Sequence, residues 1–208
     1  MPLSEEAALA FYEMAGINLA GLYDDGGNGI VPGYVLKALD ILLVEQHMLM
    51  RRVLRDVMKQ LGLSNVRMAS TYDLALDLIA ERRPDIIVTD WSPGLDAIRF
   101  VRELRKSRGE GAFIPVVILS AFSELAHVCK ARDAGVTEFL TKPVSAKSLY
   151  KRIVSVIEKE RHFVRTRDFF GPDRRRRSAR APEAAYKGPE RRGDREVRAK
   201  PYSAAQAG

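Results

Sequence analysis

The chain has 208 residues, an apolar fraction of 46%, a single cysteine and a formal net charge of +7. That apolar content supports one folded core and excludes disorder throughout; the lone Cys129 excludes an internal disulfide, a cysteine metal cluster and a paired-cysteine redox site. No apolar run reaches the roughly 18 residues of a membrane span, and MPLSEEAALAFYEMAG lacks the basic opening of a secretory signal, so a cytoplasmic location is expected.

The N-terminal residues 1–35 read as an appendage. Ser4 followed by Glu5 and Glu6 opens a helix-like, small-residue apolar run to about residue 22, and DDGGNG (24–29) with Pro32-Gly33 breaks it. From Ala38 the rhythm changes. ALDILLVE is an apolar run of strand length, and RRVLRDVMKQLG places Val53, Leu54, Val57, Met58 and Leu61 at helical spacing. The alternation repeats with NVRMAS, a helix over 71–82, PDIIVTD, a helix over 95–105, IPVVILS, a helix over about 124–133, VTEFLT, and a helix from 145 to about 162. Strands apolar on both faces, alternating with amphipathic helices, predict an α/β domain over 36–163. Its core is a doubly wound five-stranded parallel sheet with right-handed crossovers.

In that class a site forms at the carboxyl ends of the strands. The chain places Glu45-Gln46, Asp90, Ser120 and Lys142-Pro143 there. Carboxylates, a hydroxyl and an ammonium converging in one pocket suit Mg²⁺ together with a phosphoryl group. Asp90 is also open to a plain role as a helix cap, Ser120 to turn chemistry, and Phe139 to simple core packing. Trp91 is open to packing or to a partner contact. His47, His127 and His162 have no metal-ligand spacing and are assigned to surface or core.

Residues 164–208 break all periodicity and read as a disordered tail. They hold 13 Lys/Arg and 6 Asp/Glu, a net of +7, so residues 1–163 balance at 34 − 13 = 21 basic and 27 − 6 = 21 acidic groups. Eleven of the 13 cations are arginine, and a GP[DE]RR motif occurs twice, with Phe169 and Tyr186 each two residues before its Gly-Pro. Arginine forks onto phosphate, pairs with the guanine edge and stacks on flat rings. Acids alternating with those arginines suit a guanine nucleotide better than bare phosphate.

From Leu39 to Glu160 the motifs ILLVE, IIVTD-W, VVILSA and FLTKP, at intervals 45→90, 90→120 and 120→142, resemble a CheY-like response-regulator receiver domain. The resemblance implies a signalling protein, not an enzyme turning over a substrate. Asp90 would be the phospho-acceptor, taking its phosphoryl group from a histidine kinase or phosphotransfer protein. Glu45, Asp90 and the Ser92 carbonyl would hold Mg²⁺, with Gln46 as a weak further ligand. Ser120 and Lys142 would contact the phosphoryl group, Phe139 would be the aromatic switch, and Lys142-Pro143 would be cis. Two departures bear on the metal: Gln46 replaces a second acid, and the loop Asp90-Trp91-Ser92-Pro93-Gly94-Leu95-Asp96-Ala97 is one residue short of the family pattern.

A receiver followed by an Arg-rich extension also resembles CheY-like effectors of cyclic di-GMP, and Arg191-Arg192-Gly193-Asp194 has the R-x-x-D form found among binders of that messenger. The implied ligand-binding set is Phe169, Arg174, Arg175, Arg176, Arg177, Tyr186, Arg191, Arg192 and Asp194, with output through contact with a partner such as the flagellar motor. The alternative is a degenerate, weakly or non-phosphorylated receiver acting as a scaffold, its tail binding nucleic acid or anionic surfaces nonspecifically. No helix-turn-helix pattern follows the receiver, so sequence-specific DNA binding is not expected.

Overall fold

A computed structural model describes residues 36–107, 109–158, 161–173 and 195–197. The expected N-terminal appendage, Arg174–Arg177, Tyr186, Arg191, Arg192 and Asp194 lie outside the described residues. In chain order the elements are β1 (Asp40–Val44), α1 (Met48–Gln60), β2 (Asn65–Ala69), α2 (Tyr72–Glu81), β3 (Ile86–Trp91), α3 (Ala97–Lys106), β4 (Val116–Ser120), α4 (Leu125–Ala134), β5 (Glu138–Thr141) and α5 (Ala146–Glu158). The strands form one sheet in the order β2-β1-β3-β4-β5, and every neighbouring pair is parallel. This is the expected doubly wound α/β class.

Side-chain alternation explains the two layers. Ile41 and Leu43 of β1 join a core with Leu54, Met58, Leu149 and Ile153 of α1 and α5. Leu42 and Val44 join the opposite core with Phe100, Val101 and Ala131 of α3 and α4. Because successive residues of a strand point to opposite faces, a strand covered on both sides is apolar along its length; all five β1 residues are buried, and the one polar residue, Asp40 at its start, is paired with Arg67 at 2.9 Å and Arg82 at 2.8 Å. Local chemistry sets the helix ends. Thr71 accepts from Leu74 N–H to cap α2, and Asp96 accepts from Ile98 and Arg99 N–H to cap α3. Gly135, at φ +94°, closes α4 in the left-handed conformation that favours glycine.

Order continues past the expected boundary at Phe163. β6 (Phe163–Arg165) pairs antiparallel with both β7 (Phe170–Pro172) and β8 (Arg195–Val197). Phe163 and Phe170 are buried with Ala112 and Phe113, their rings 5.2–5.6 Å apart. Beneath them Arg105 of α3 donates to the Gly135, Ala112 and Ile114 carbonyls at 2.8–3.1 Å, and its guanidinium lies 5.0 Å from the Phe163 ring centroid. A Cβ on Gly171 would meet Gly135 Cα at 2.8 Å, so β7 approaches the end of α4 as closely as two glycines permit. The expectation of disorder from residue 164 is therefore corrected for 164–173. Composition averaged over the whole tail conceals Phe170, which joins Phe163 at the boundary to cover an apolar patch with a buried cation.

Candidate functional site

The sheet brings the four strand-end residues together. Register pairs Asp90 with Leu119, Trp91 with Ser120, and Ser120 with Thr141. Glu45 and Asp90 are almost fully buried, at 1% and 3% exposure. Lys142 Nζ lies 2.8 Å from Asp90 Oδ1 and 3.7 Å from Glu45 Oε2. Its own backbone N–H donates to the Ser120 carbonyl at 2.7 Å, and the following Lys142-Pro143 bond is cis. Asp90 does not cap a helix; Asp96 has that role.

Glu45 is only half satisfied. Oε1 accepts from His47 N–H at 2.9 Å, while Oε2 is buried with no hydrogen-bond partner. Burial is the main cause that raises its pKa above the usual carboxylate value. The His47 N–H opposes the shift, Asp90 adds to it, and Lys142 opposes it. The folded state thus holds the Glu45 proton more tightly than the unfolded chain does. Stability contributed by the neutral form is lost as pH rises through and above the ordinary value of 4.5. In metal-free buffer, Glu45→Gln is expected to stabilise the protein at pH 7, because a neutral amide of nearly the same shape escapes the cost of burying a charge. Thermal melts of both proteins from pH 7 down to pH 4 check this: the gap should close on acidification, and a constant gap would mean that Glu45 titrates normally.

The orphaned Glu45 oxygen beside the Asp90 carboxylate fits a hard dication, since Mg²⁺ commonly takes one or two carboxylates and completes its shell with water and phosphate oxygens. Among the described residues there is no cluster of three or more His, Cys, Asp or Glu side chains able to hold a metal, so the set is minimal. The Ser92 carbonyl already accepts from Leu95 N–H at 2.9 Å, which leaves one lone pair. The Gln46 amide donates to Ser92 Oγ at 3.2 Å, sits 3.4 Å from the His47 ring nitrogen, and presses against Gly94. In this position the amide braces the short loop after Asp90.

Ser120 Oγ is fully buried, donating to the Trp91 carbonyl at 3.0 Å and accepting from Phe122 N–H at 3.1 Å. The hydroxyl expected to face a phosphoryl oxygen is thus turned inward to the backbone. Phe139 is half-buried and meets the Trp91 ring edge-on at 6.4 Å. Trp91 also touches Phe122 and His127, which stack on each other at 4.5 Å, so packing accounts for Trp91. His127 lies 3.3 Å from Glu124, and His47 and His162 are exposed. Phe169 is half-buried with its ring over Gly171, and so is not a free stacking platform.

Two residues near the site carry no sequence signal. Tyr72, the first residue of α2, donates its hydroxyl to the Asp90 carbonyl at 3.2 Å and stacks on Phe100 at 4.4 Å. Burial raises its pKa far above the usual value, so it remains a neutral donor. Arg51 of α1 reaches back to the Glu45 and Gln46 carbonyls. Both fix backbone at the pocket from elements that periodicity alone marks as ordinary helix.

A model of the family described as response regulator receiver domain matches residues 41–154. Among similar proteins, Chemotaxis protein CheY-3 of Vibrio cholerae is 28% identical over 124 residues, covering 59% of this chain and 95% of its own length. Chemotaxis protein CheY of Pseudomonas aeruginosa is 29% identical over 122 residues, covering 58% and 98%. In three dimensions the chain is similar to chemotaxis response regulator CheY4 of Vibrio cholerae, at 22% identity with a TM-score of 0.52 over 57% of this chain and 98% of that one. It is also similar to the signal receiver domain of a histidine kinase from Syntrophus aciditrophicus, at 25% identity with a TM-score of 0.50 over 59% and 94%.

Proposed function

Because the chain belongs to the response regulator receiver family, we propose that Asp90 is its phospho-acceptor and that the 36–163 unit signals through contacts with other proteins. Phosphorelay signalling, rather than turnover of a substrate, is the activity of this family. The observation that carries the assignment is the buried Asp90 carboxylate, 2.8 Å from Lys142 and next to the orphaned Glu45 oxygen. A carboxylate oxygen of Asp90 attacks the phosphorus of a phosphohistidine; the P–N bond breaks, the imidazole keeps the electron pair and takes up a proton, and an acyl phosphate forms. Lys142 balances the added negative charge. Mg²⁺, when bound by Glu45, Asp90 and the Ser92 carbonyl, supplies further charge neutralisation. For Ser120 to contact the phosphoryl group, Oγ must release the Trp91 carbonyl. That release frees the backbone of the residue packed on Phe139, a route by which Phe139 acts as the switch.

Gln46 provides the test. Gln46→Asp adds the missing charge, so half-maximal labelling by a small acyl-phosphate donor should need about tenfold less Mg²⁺, since ligand charge tunes affinity for hard cations. Intact-mass measurement against Mg²⁺ concentration reads this directly. Identical Mg²⁺ curves would remove Gln46 from the metal site. If neither protein is labelled at all, the scaffold reading is favoured, as the inward-bonded Ser120 and Gln46 side chains already suit it.

For the Arg-rich segment we propose cyclic di-GMP as the ligand and a motor or other signalling protein as the output partner. Support comes from the sequence chemistry of residues 164–208: eleven arginines against two lysines, interleaved with acids. Calorimetric titration of the full chain at moderate salt should show saturable binding that an Arg191→Ala/Arg192→Ala variant loses. A flat titration of the native chain ends the proposal.

A further inference from the structure

The short loop after Asp90 carries the Ser92 carbonyl assigned above to Mg²⁺, and its two ends meet at one side chain from another element. β3 pairs with β1 as far as Thr89; one residue on, the Asp90 carbonyl takes donors from side chains. Thr89 Oγ1 donates to it at 3.0 Å. The Tyr72 hydroxyl lies 3.2 Å from the same carbonyl, 3.2 Å from Thr89 Oγ1 and 3.5 Å from the Leu95 carbonyl. A phenol has one proton. Three acceptors around a single O–H, all beyond the usual O–H···O distance, describe a proton shared between the start and the end of the loop.

The ring is fixed independently of the hydroxyl. It stacks on Phe100 at 4.4 Å with 7° between the planes, and Phe100 is buried in the first turn of α3. Tyr72 therefore spans the loop, from Asp90 at the end of β3 to the helix that follows. Leu95 closes the loop from within. Its N–H donates to the Ser92 carbonyl at 2.9 Å, and its own carbonyl accepts from Ser92 N–H at 3.4 Å and from Ala97 N–H at 2.9 Å. Wherever Leu95 is held relative to Asp90, the Ser92 carbonyl follows.

We propose that Tyr72 is a positioning residue for the metal at Asp90. Its hydroxyl holds Leu95 to Asp90 and so sets the place of the Ser92 carbonyl relative to the Glu45 and Asp90 carboxylates, without touching metal or phosphoryl group. The inference rests on the reading of those three groups as Mg²⁺ ligands. The tie also outlasts the change at Ser120: when Oγ releases the Trp91 carbonyl, the carbonyl one residue earlier stays held by Tyr72 and Thr89, and the acceptor keeps its place.

Tyr72→Phe keeps the ring on Phe100 and removes only the hydroxyl. Calorimetric titration of the full chain with Mg²⁺ alone, without a phosphoryl donor, should show a dissociation constant raised about fivefold, the factor equivalent to one hydrogen bond. In labelling by an acyl-phosphate donor, the Mg²⁺ midpoint should rise by more than the rate at saturating Mg²⁺ falls. A purely structural hydroxyl would lower the melting temperature in metal-free buffer and leave the Mg²⁺ constant where it is. That result overturns the proposal, as does a fall in the saturated rate alone. The assignment of Asp90 fails separately: a native chain that binds Mg²⁺ in a Tyr72-dependent way but is never labelled keeps the role of Tyr72 and removes the acceptor. A native chain that binds no Mg²⁺ overturns the role of Tyr72, whether or not Asp90 is labelled.

Discussion

Asp90→Asn is expected to reduce phosphoryl labelling of the full chain to background. Asn has nearly the shape of Asp, and Asp90 is 3% exposed with its backbone held in β3 between the β1 and β4 pairings, so the fold should survive. The change removes the negative oxygen that attacks phosphorus, and an amide oxygen is far too weakly nucleophilic to replace it. Lys142 then keeps a neutral amide oxygen in place of its charged 2.8 Å partner, with Glu45 at 3.7 Å as the remaining carboxylate. Circular dichroism of the variant should match the native protein, while intact mass after incubation with an acyl-phosphate donor and Mg²⁺ should show no added phosphoryl group. Undiminished labelling with native-like spectra would move the acceptor to another residue.

The second large effect is expected at Arg105. Burial pushes its guanidinium down to about 9, which leaves it charged at neutral pH, and no carboxylate is among its partners. Three backbone carbonyls and the Phe163 ring hold it instead. Arg105→Ala leaves a cavity and removes the donor to the Gly135, Ala112 and Ile114 carbonyls, a combined cost of about 3–5 kcal/mol. The loss should concentrate on the extension. Hydrogen exchange at 163–165, Phe170 and Gly171 should approach the unprotected rate, with a lower urea midpoint for the whole domain. Phe163→Ala/Phe170→Ala separates the two contributions, because it should release the same strands while Arg105 keeps its carbonyl bonds. Unchanged protection in both variants would mean that the extension is held by something other than this contact.

Arg105 also marks where sequence reading stops. On α3 its neighbours Val101 and Leu104 carry the helical apolar period, and a cation at that position reads as one more solvated face residue. Only the arrival of Phe163 and Phe170 from beyond α5 makes it a buried anchor. Tyr72 is similar: as the residue after the Thr71 cap it reads as an ordinary helix start, yet the fold aims its hydroxyl at the Asp90 carbonyl. By contrast Glu45, Asp90, Ser120 and Lys142 are legible, because each closes or follows a strand and the sheet gathers such ends.

The sequence by itself determined the doubly wound class, the five strands in their alternation with helices, and the strand-end residues of the pocket. Those features rest on local periodicity and short-range caps, which need no knowledge of distant contacts. The tertiary structure alone decided that Ser120 bonds inward to Trp91, that Gln46 braces Gly94, and that residues 163–172 lie folded over Arg105. In each case the outcome depends on which polar group or ring arrives from another element to satisfy a buried partner, and that competition is settled only when the chain is packed.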